Sequence, residues 1–427
     1  MGKNTKLRRN LLELVALNKI LSGDTSEAVQ KRADAYGAYT AAEEPEEAEA
    51  LNFEVYFWNR VAVRSFFAQM EGISTFMRRT AARSGNAKRL GLNTRDRAKL
   101  LECRYDKDGD RVTDILMPNT VPENLKLAFR YYPRLFGVSF TLDTNSPTWL
   151  VLIKELVPAR NNMTHAGRVE DFYAIEAAQS IIPCYPWFLG ELLRLLRDCF
   201  ESVGVPTPDF DLSIVKKHEF DYSAFRTMPM SRDDFYTEVG KLQERSLAVL
   251  HHSFALLNRE NTFAFEVMTD VWNRHGLKHP AAQFGVRNYL RATIAYIEGI
   301  ADILRLFIYH ARDRDEIQLA EAEMKRLEYK HLLDRLKATV GIFSQHFGKR
   351  EELAATDKEW HAIRTILGYR DRLTHPQRKA DFRFEDLTLR TTLANSLRWL
   401  IALLPVIRLD KARVLELQSL STEHESK

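Results

Sequence analysis

The sequence predicts an all-α protein with two helical domains, and three observations lead to that prediction. Apolar residues recur at three- and four-residue steps through most of the chain, as in residues 61–79, where Val63, Phe66, Met70 and Met77 share one helical face. Hydrophobic residues make up 45% of the chain and charged residues 28%, which is typical of a folded globular protein. A chain of 427 residues is too long for one ordinary core, so two domains are expected.

The domain boundaries follow from proline and charge patterns. After residue 200, prolines are most concentrated in residues 203–213 and 225–234. The boundary between the two halves is expected there, because proline interrupts regular secondary structure. The predicted organisation is a peripheral N-terminal extension (1–50), a first domain (51–205), a connector (206–249), a second domain (250–412) and a C-terminal tail (413–427).

Both halves present the same order of elements. Residues 64–73 and 291–300 each begin with Arg, carry Ala at the fifth place and end with Glu-Gly-Ile. Each half then contains an Arg-x4-His segment, followed by an apolar helical stretch with Trp187 or Trp399. This order indicates an internal duplication, with two bundles in a pseudo-twofold arrangement.

The expected exception to the helical pattern is a small β insertion in the first domain. Residues 102–117 predict a hairpin about an Asp-Gly turn, and residues 135–142 are rich in β-forming residues. Asp106, Asp108 and Asp110 hint at a calcium loop, but Gly109 precedes the third acid where an EF-hand glycine follows it. No calcium site is expected.

Composition narrows the functional classes. A net charge of +4 is too small to require a nucleic-acid partner without local clustering. The three cysteines show no CxxC spacing, which favours a reducing compartment without disulfides or a thiolate zinc site. No secretory signal opens the chain, and the longest apolar stretch, residues 397–407, is about half a membrane span. The sequence therefore predicts a cytoplasmic protein that does not enter membranes.

Arg-x4-His segments are the strongest functional signal. The chain contains Arg160/His165, Arg274/His279, Arg305/His310, Arg326/His331 and Arg370/His375, so the spacing alone decides nothing. Arg305 and Arg326 lie within helical stretches, and the segment at Arg274 has no counterpart in the first half. Only the segments at Arg160 and Arg370 fall at equivalent places in the duplication, with an Asn or Asp neighbour and a Met/Leu-Thr-His ending.

These two segments, "RNNMTH" and "RDRLTH", resemble the Arg-polar-x3-His motif of HEPN domains. The resemblance extends over about residues 51–200 and 250–410 and implies two HEPN-like α-helical bundles. Many members of that family are metal-independent ribonucleases of toxin–antitoxin and antiviral defence systems, and their sites are composite, pooling Arg/His pairs from two domains in one cleft. The resemblance therefore implies a composite endoribonuclease, with a toxin or anti-phage defence role, that leaves 2′,3′-cyclic phosphate and 5′-hydroxyl ends.

The residue types suit that chemistry. The 2′-hydroxyl of RNA lies beside the scissile phosphodiester, so no external nucleophile is needed. Histidine titrates near neutrality and can transfer protons, while arginine stays charged and forks onto phosphate oxygens. The expected catalytic residues are Arg160, His165, Arg370 and His375, with Asn161 and Asp371 positioning the neighbouring Arg or His. No metal or other cofactor is expected, because neither motif lies near a carboxylate cluster.

Other residues have two interpretations each. Glu71 and Glu298 brace the motif arginines or are ordinary helix-surface carboxylates. His275 and His279 could form a weak metal pair, but no third ligand is evident. The candidates for RNA binding are basic residues near the motifs or in the basic run at 78–99, which otherwise form solvated surface: Arg168, Arg378, Lys379, Arg79, Arg83, Lys88 and Arg89.

Two rival functions stay open. One is a non-catalytic HEPN module that binds RNA, a nucleotide or a partner protein. The other is a helical scaffold without a site, although a scaffold leaves the matching Asn/Asp and Thr-His residues unexplained. The expected partners are an RNA substrate, an antitoxin or regulatory protein, and a second copy of the chain in a homodimer.

Overall fold

A computed structural model gives the fold of the chain, which is almost entirely helical. The described residues are 3–105, 111–116, 119–164, 175–208, 247–276, 278–328, 332–347 and 357–374. They form two compact units: unit 1 contains residues 3–160 and 175–208, and unit 2 contains residues 247–371. The short helix ends at 161–164 and 372–374 belong to unit 2 and unit 1, respectively.

Unit 1 is built from helices of very different lengths and one pair of short strands. Its elements are α1 (Lys3–Ala41), α2 (Pro45–Ala82), α3 (Ser84–Arg89), α4 (Thr94–Leu101), β1 (Cys103–Tyr105), β2 (Arg111–Leu116), α5 (Val121–Tyr131), a 3-10 turn (Pro133–Phe136), α6 (Pro147–Val151), a π-helical turn (Leu152–Leu156), α7 (Val157–Thr164) and α8 (Ile175–Ser202).

The long N-terminal helix α1 belongs to the core of unit 1. Leu7, Leu11, Leu14, Leu17 and Leu21 recur at three- and four-residue steps, and all are buried where α1 packs along α2. The expectation of a peripheral extension over residues 1–50 is therefore wrong for α1. A helix whose leucine stripe is fully covered contributes to the hydrophobic core.

Helix α2 forms the centre of unit 1. It is buried from Phe53 to Ala82 over most of its circumference, because α1, α4, α5 and α8 all pack against it. Several of its buried polar side chains form hydrogen bonds inside the unit. Gln69 donates to Asn18 Oδ1 at 2.9 Å and accepts from the Thr25 hydroxyl at 3.3 Å, which joins α2 to α1.

A buried ion pair attaches the region after α2 to the same helix. The guanidinium of Arg78 donates to the Leu100 carbonyl at 2.9 Å and forms an ion pair with Glu102 at 3.4 Å. Burial lowers the pKa of Arg78, and the neighbouring Glu102 carboxylate opposes that shift. Glu102 also accepts from Asn124 Nδ2 at 2.9 Å, so it links α2, α4 and α5.

The β content is smaller than the sequence predicts. Strands β1 and β2 pair antiparallel, with Tyr105 opposite Arg111. Residues 106–110, which contain the predicted Asp-Gly turn and the three aspartates of the calcium-loop pattern, lie outside the described residues. Residues 135–142 contain no strand, which corrects the β expectation there. Gly137 ends the 3-10 turn at φ 77°, and Phe140 then packs against Phe129 with ring centroids 5.8 Å apart. The apolar residues of this segment therefore pack in the core of unit 1 and do not form a strand.

All three cysteines are buried and none forms a disulfide. Burial raises the pKa of Cys184 to about 12 and that of Cys199 to about 12. Both thiols therefore stay protonated near neutral pH, which makes them poor nucleophiles and poor metal ligands.

Unit 2 begins with a helical hairpin. Its described elements are α9 (Leu247–His275), α10 (Pro280–Asp313), α11 (Glu321–Leu327), α12 (Leu332–Phe347) and α13 (Asp357–Thr374). Helices α9 and α10 pack along each other, and Asn261 donates to the Thr293 hydroxyl at 2.9 Å between them. In the described parts of both units, none of the helices is long and apolar enough to cross a bilayer.

Glycines set the distance between α9 and α10. A Cβ at Gly285 would lie 3.2 Å from Met268 Cα, and one at Gly299 would lie 2.4 Å from Leu257 Cδ1. Gly299 is the glycine of the second Glu-Gly-Ile segment. Close helix approach therefore gives this repeated glycine a packing role in unit 2.

Gly299→Ala should destabilise unit 2. The added methyl meets the buried Leu257 side chain, and overpacking of this kind costs about 1–3 kcal/mol in free energy of unfolding. Gly341→Ala is the control: apart from its own helix backbone, no atom of the described residues lies within 4 Å of its Cβ position on α12, and the gain in helix propensity stabilises by roughly 0.5–1 kcal/mol. Urea unfolding followed by circular dichroism measures both. Equal stability of the two variants would contradict the close packing of α9 on α10.

Candidate functional site

The first motif lies on a helix that contains a widened turn. α6, the π-helical turn and α7 run continuously from Pro147 to Thr164. Pro158 has no N–H to donate to the preceding turn, and the Val157 N–H bonds to the Leu152 carbonyl five residues back. Leu152 and Leu156 are buried, so the apolar stripe of this helix faces the core of unit 1 just before Arg160.

An ion pair fixes Arg160 against α2. Arg160 Nη2 donates to Glu71 Oε1 at 2.9 Å, with 25% of the arginine side chain and 11% of the glutamate side chain exposed. The guanidinium carbon lies 5.8 Å from the ring centroid of Phe67, one helical turn before Glu71. The arginine therefore rests on a carboxylate and an aromatic face, both supplied by α2.

This contact decides between the two interpretations of Glu71. Glu71 is 9% exposed and is bound to Arg160, so it braces the motif arginine and is not an ordinary surface carboxylate. Phe67 was missed in the sequence as part of the site. Its spacing of four residues from Glu71 places both on one face of α2, which is the signal that could have found it.

The second motif lies on α13. Ile363, Ile366 and Leu373 are buried, and Arg370 occupies a helix position between Ile366 and Leu373 on the same face, at steps of four and three residues. Asp371 follows Arg370 in the same helix, but only the backbone of these two residues is described. Glu298, the counterpart of Glu71 in the repeat, lies on α10 and is 1% exposed, so it is not a helix-surface carboxylate.

Both motifs are helical up to the threonine that precedes the histidine. The described parts of α7 and α13 run through Thr164 and Thr374. Asn161 is placed in α7 by its backbone. The predicted histidines and nearby basic residues lie outside the described residues: His165, Arg168, His375, Arg378 and Lys379.

Two other Arg-x4-His arginines have local partners on their own helices. Arg305 binds Asp302 at 3.0 Å, and Arg274 forms an ion pair with Asp270 one turn earlier. His279 is the N-cap of α10, where its Nδ1 accepts from the Ala281 N–H at 3.3 Å. Arg160, in contrast, is paired with a residue 89 positions away.

The structure separates the basic run into buried and exposed residues. Arg78 is 1% exposed and holds Glu102, so it is unavailable to a phosphate. Of the predicted RNA-binding residues, Arg83, Lys88 and Arg89 are exposed, and Arg79 is half-buried.

Within the described ranges, no group of three His, Cys, Asp or Glu side chains is arranged to hold a metal ion. His275 and His279 lie with ring centroids 4.6 Å apart and ring planes 21° from parallel. Stacked rings do not direct their nitrogens at a shared point, so this pair lacks the geometry of a two-histidine metal site.

Comparisons of the chain with models of known families, with curated proteins and with solved structures found no match. The functional interpretation consequently depends on the geometry and chemistry of the residues themselves.

A double-mutant cycle on Glu71 and Arg160 should reveal a strong coupling. A partly buried pair held at 2.9 Å should give a coupling energy of about 1–2 kcal/mol between Glu71→Ala and Arg160→Ala. The exposed pair of Glu321 and Lys325 on α11 is the matched control, with a coupling of about 0.5 kcal/mol or less. Free energies of unfolding from urea titrations give both values. A Glu71–Arg160 coupling no larger than the control would show that the contact does not hold the arginine.

Proposed function

We propose that the protein is a metal-independent endoribonuclease that uses both Arg-x4-His motifs. The observation that supports this most directly is the ion pair of Arg160 with Glu71, because it pre-orients a motif arginine five residues before a histidine. A guanidinium has several N–H donors and can serve a carboxylate and a phosphate together. A preoriented cation stabilises developing negative charge without reorganising.

The proposed reaction is an internal transesterification. One histidine removes the proton of the 2′-hydroxyl, whose oxygen attacks the adjacent phosphorus. The bond from phosphorus to the 5′-oxygen breaks, and the second histidine supplies the proton to that oxygen. The products are a 2′,3′-cyclic phosphate and a 5′-hydroxyl end, and arginine stabilises the charge on the pentacoordinate phosphorus.

Each proposed residue has a distinct role. Arg160 and Arg370 bind the phosphate, His165 and His375 transfer protons, and Asn161 and Asp371 orient these groups. Positions five apart on an α-helix point about 140° away from each other. For Arg160 and His165 to act on one phosphate, the helix must therefore end or change direction at the histidine.

The wider proposal follows the HEPN resemblance. Each unit corresponds to one HEPN-like bundle, the first with the predicted β-hairpin insertion, and the two motifs contribute to one composite activity. The same resemblance suggests a cytoplasmic toxin or defence effector, with an antitoxin, a regulatory protein or a second copy as partner.

His165→Ala and His375→Ala should each nearly abolish RNA cleavage, and the double variant should be scarcely worse. Residues that act as one unit lose most of their activity when one member is removed. The measurement is the initial rate of cleavage of a labelled RNA by the wild type and the three variants. His346→Ala is a control, because His346 lies near Glu323, at 3.7 Å, and belongs to neither motif.

Two results would count against this assignment. Retention of about half the activity in each single variant would indicate two independent sites. RNA binding without cleavage by the wild type would favour the rival function, a non-catalytic RNA-binding module.

Cleavage should persist in excess EDTA. The proposed chemistry uses the 2′-hydroxyl, histidine and arginine, and it assigns no role to a metal-activated water. Cleavage rates are compared before and after chelation, with a magnesium-dependent nuclease as the positive control for chelation. Loss of activity in EDTA that is restored by magnesium or manganese would contradict the mechanism.

A further inference from the structure

Two residues of the basic run 78–99 and three basic residues that the sequence did not single out share one surface of unit 1. Helix α4 contributes Arg95 and Lys99, while α5 and the 3-10 turn after it contribute Lys126, Arg130 and Arg134. All five are exposed. This set, here called the basic face, combines two segments about 30 residues apart in sequence.

Tyr131 joins the two segments. Its hydroxyl donates to Asp96 Oδ1 on α4 at 3.2 Å. The guanidinium carbons of Arg130 and Arg134 lie 5.3 Å and 5.5 Å from the centroid of its ring. Since Asp96 is the neighbour of Arg95, this one buried tyrosine brings cations of α4, α5 and the 3-10 turn together.

Glu123 lies in the first turn of α5 and is bound by Thr120. Thr120 donates from both its N–H and its hydroxyl to the Glu123 carboxylate, at 2.8 Å and 2.9 Å. These hydrogen bonds, chiefly the one from the backbone, lower the pKa of Glu123, with smaller contributions from Lys99 and Lys126. Lys99 lies four residues after Arg95 on α4, and Lys126 lies four residues before Arg130 on α5, so each lysine shares a helix face with an arginine of the basic face.

The acidic side chains of this region each bind a residue other than the five cations. Asp96 accepts from Tyr131, Glu102 holds Arg78 and Asn124, and Glu123 completes the N-terminal capping box of α5. Among the described residues, none of the five cations of the basic face forms an ion pair at 4 Å or less with a carboxylate. A surface with several such cations attracts a polyanion.

We infer that the basic face binds the sugar–phosphate backbone of RNA and so holds the substrate of the proposed ribonuclease, on which this inference rests for the identity of the polyanion. Arginine forks match phosphate oxygens, and Arg95, Arg130 and Arg134 are three of the five cations. The large apolar side chains exposed in the described residues are Leu12, Leu150 and Phe265, and they belong to α1, α6 and α9 rather than to the elements that carry the basic face. Membrane-surface binding normally adds such apolar side chains to the basic ones, and single-strand stacking platforms add exposed aromatics. Contact through phosphates alone predicts binding without sequence preference.

The test compares two variants with the same loss of charge. The first replaces four residues of the basic face with glutamine, which keeps the aliphatic stem and the helix propensity: Arg95→Gln, Lys99→Gln, Arg130→Gln and Arg134→Gln. The second makes four exposed replacements in unit 2: Lys278→Gln, Arg314→Gln, Lys325→Gln and Arg326→Gln. The probe is a labelled 2′-O-methyl RNA of random sequence, which the proposed chemistry cannot cleave. Fluorescence anisotropy gives its Kd over a series of salt concentrations.

The basic-face variant should bind the probe more weakly. The slope of log K against log salt, which is negative, should decrease in magnitude by about 3, since each lost phosphate contact removes roughly 0.7. The unit 2 variant should keep the wild-type slope. Thermal unfolding checks that both are folded. If the fourfold variant unfolds, the pair Arg130→Gln and Arg134→Gln should still lower the slope by about 1.4.

Equal slopes for both fourfold variants would overturn the inference, since net charge alone would then explain binding. Binding of the wild type to phosphatidylserine vesicles in preference to the probe would also overturn it. Binding to the uncleavable probe is measured separately from cleavage. An inactive wild type whose slope still depends on the basic face would refute the ribonuclease and not this surface.

Discussion

The burial of α2 is the constraint on which the rest of unit 1 depends. An unpaired polar group in a core costs more free energy than its hydrogen bond contributes, so the pairings that several buried polar side chains of α2 make with other elements hold unit 1 together. Gln69 is paired with α1, Arg78 with α4 and Glu102, and Glu71 with Arg160 on α7. Each pairing orients a neighbouring element, and the last one orients a motif residue.

The same constraint explains why a site can persist at Arg160. Its carboxylate partner and the Phe67 ring lie on a helix that cannot rotate without breaking the other pairings. In the proposed reaction, a cation held by such a rigid element would need little reorganisation when it meets a phosphate. The widened turn at Leu152–Leu156, next to Pro158, belongs to the same arrangement, since it sets the helix phase just before Arg160.

Sequence periodicity predicted the helical class well but could not rank the helices by burial. The leucines of α1 recur as a core stripe does, yet only its packing against α2 shows that α1 is central rather than peripheral. Residues 135–142 favour a strand by residue type. Gly137 and the Phe129–Phe140 contact place them in irregular core structure, because tertiary packing overrides local propensity.

The site was predictable in part for a similar reason. The repeated segments matched Glu71 with Glu298 and Arg160 with Arg370, but only the 2.9 Å contact between Arg160 and Glu71 distinguishes a brace from a surface carboxylate. Within the run 78–99, composition treats Arg78 and Arg83 alike, although one is a buried structural residue and the other is exposed. The sequence could not single out the cations of α5, because a four-residue spacing of basic residues is typical of a solvent-exposed helix face. Only the hydrogen bond from Tyr131 to Asp96 shows that they lie next to α4.

The proposed activity is cleavage of RNA through the 2′-hydroxyl next to the scissile phosphate. It is tested most directly by mapping one cleavage position in an RNA and then replacing the nucleotide on its 5′ side with the 2′-deoxy form. Cleavage at that position should be lost, cleavage elsewhere in the same strand should continue, and the ends formed should be 2′,3′-cyclic phosphate and 5′-hydroxyl. Cleavage at the substituted position at an unchanged rate would contradict it, because an external nucleophile would then be doing the chemistry.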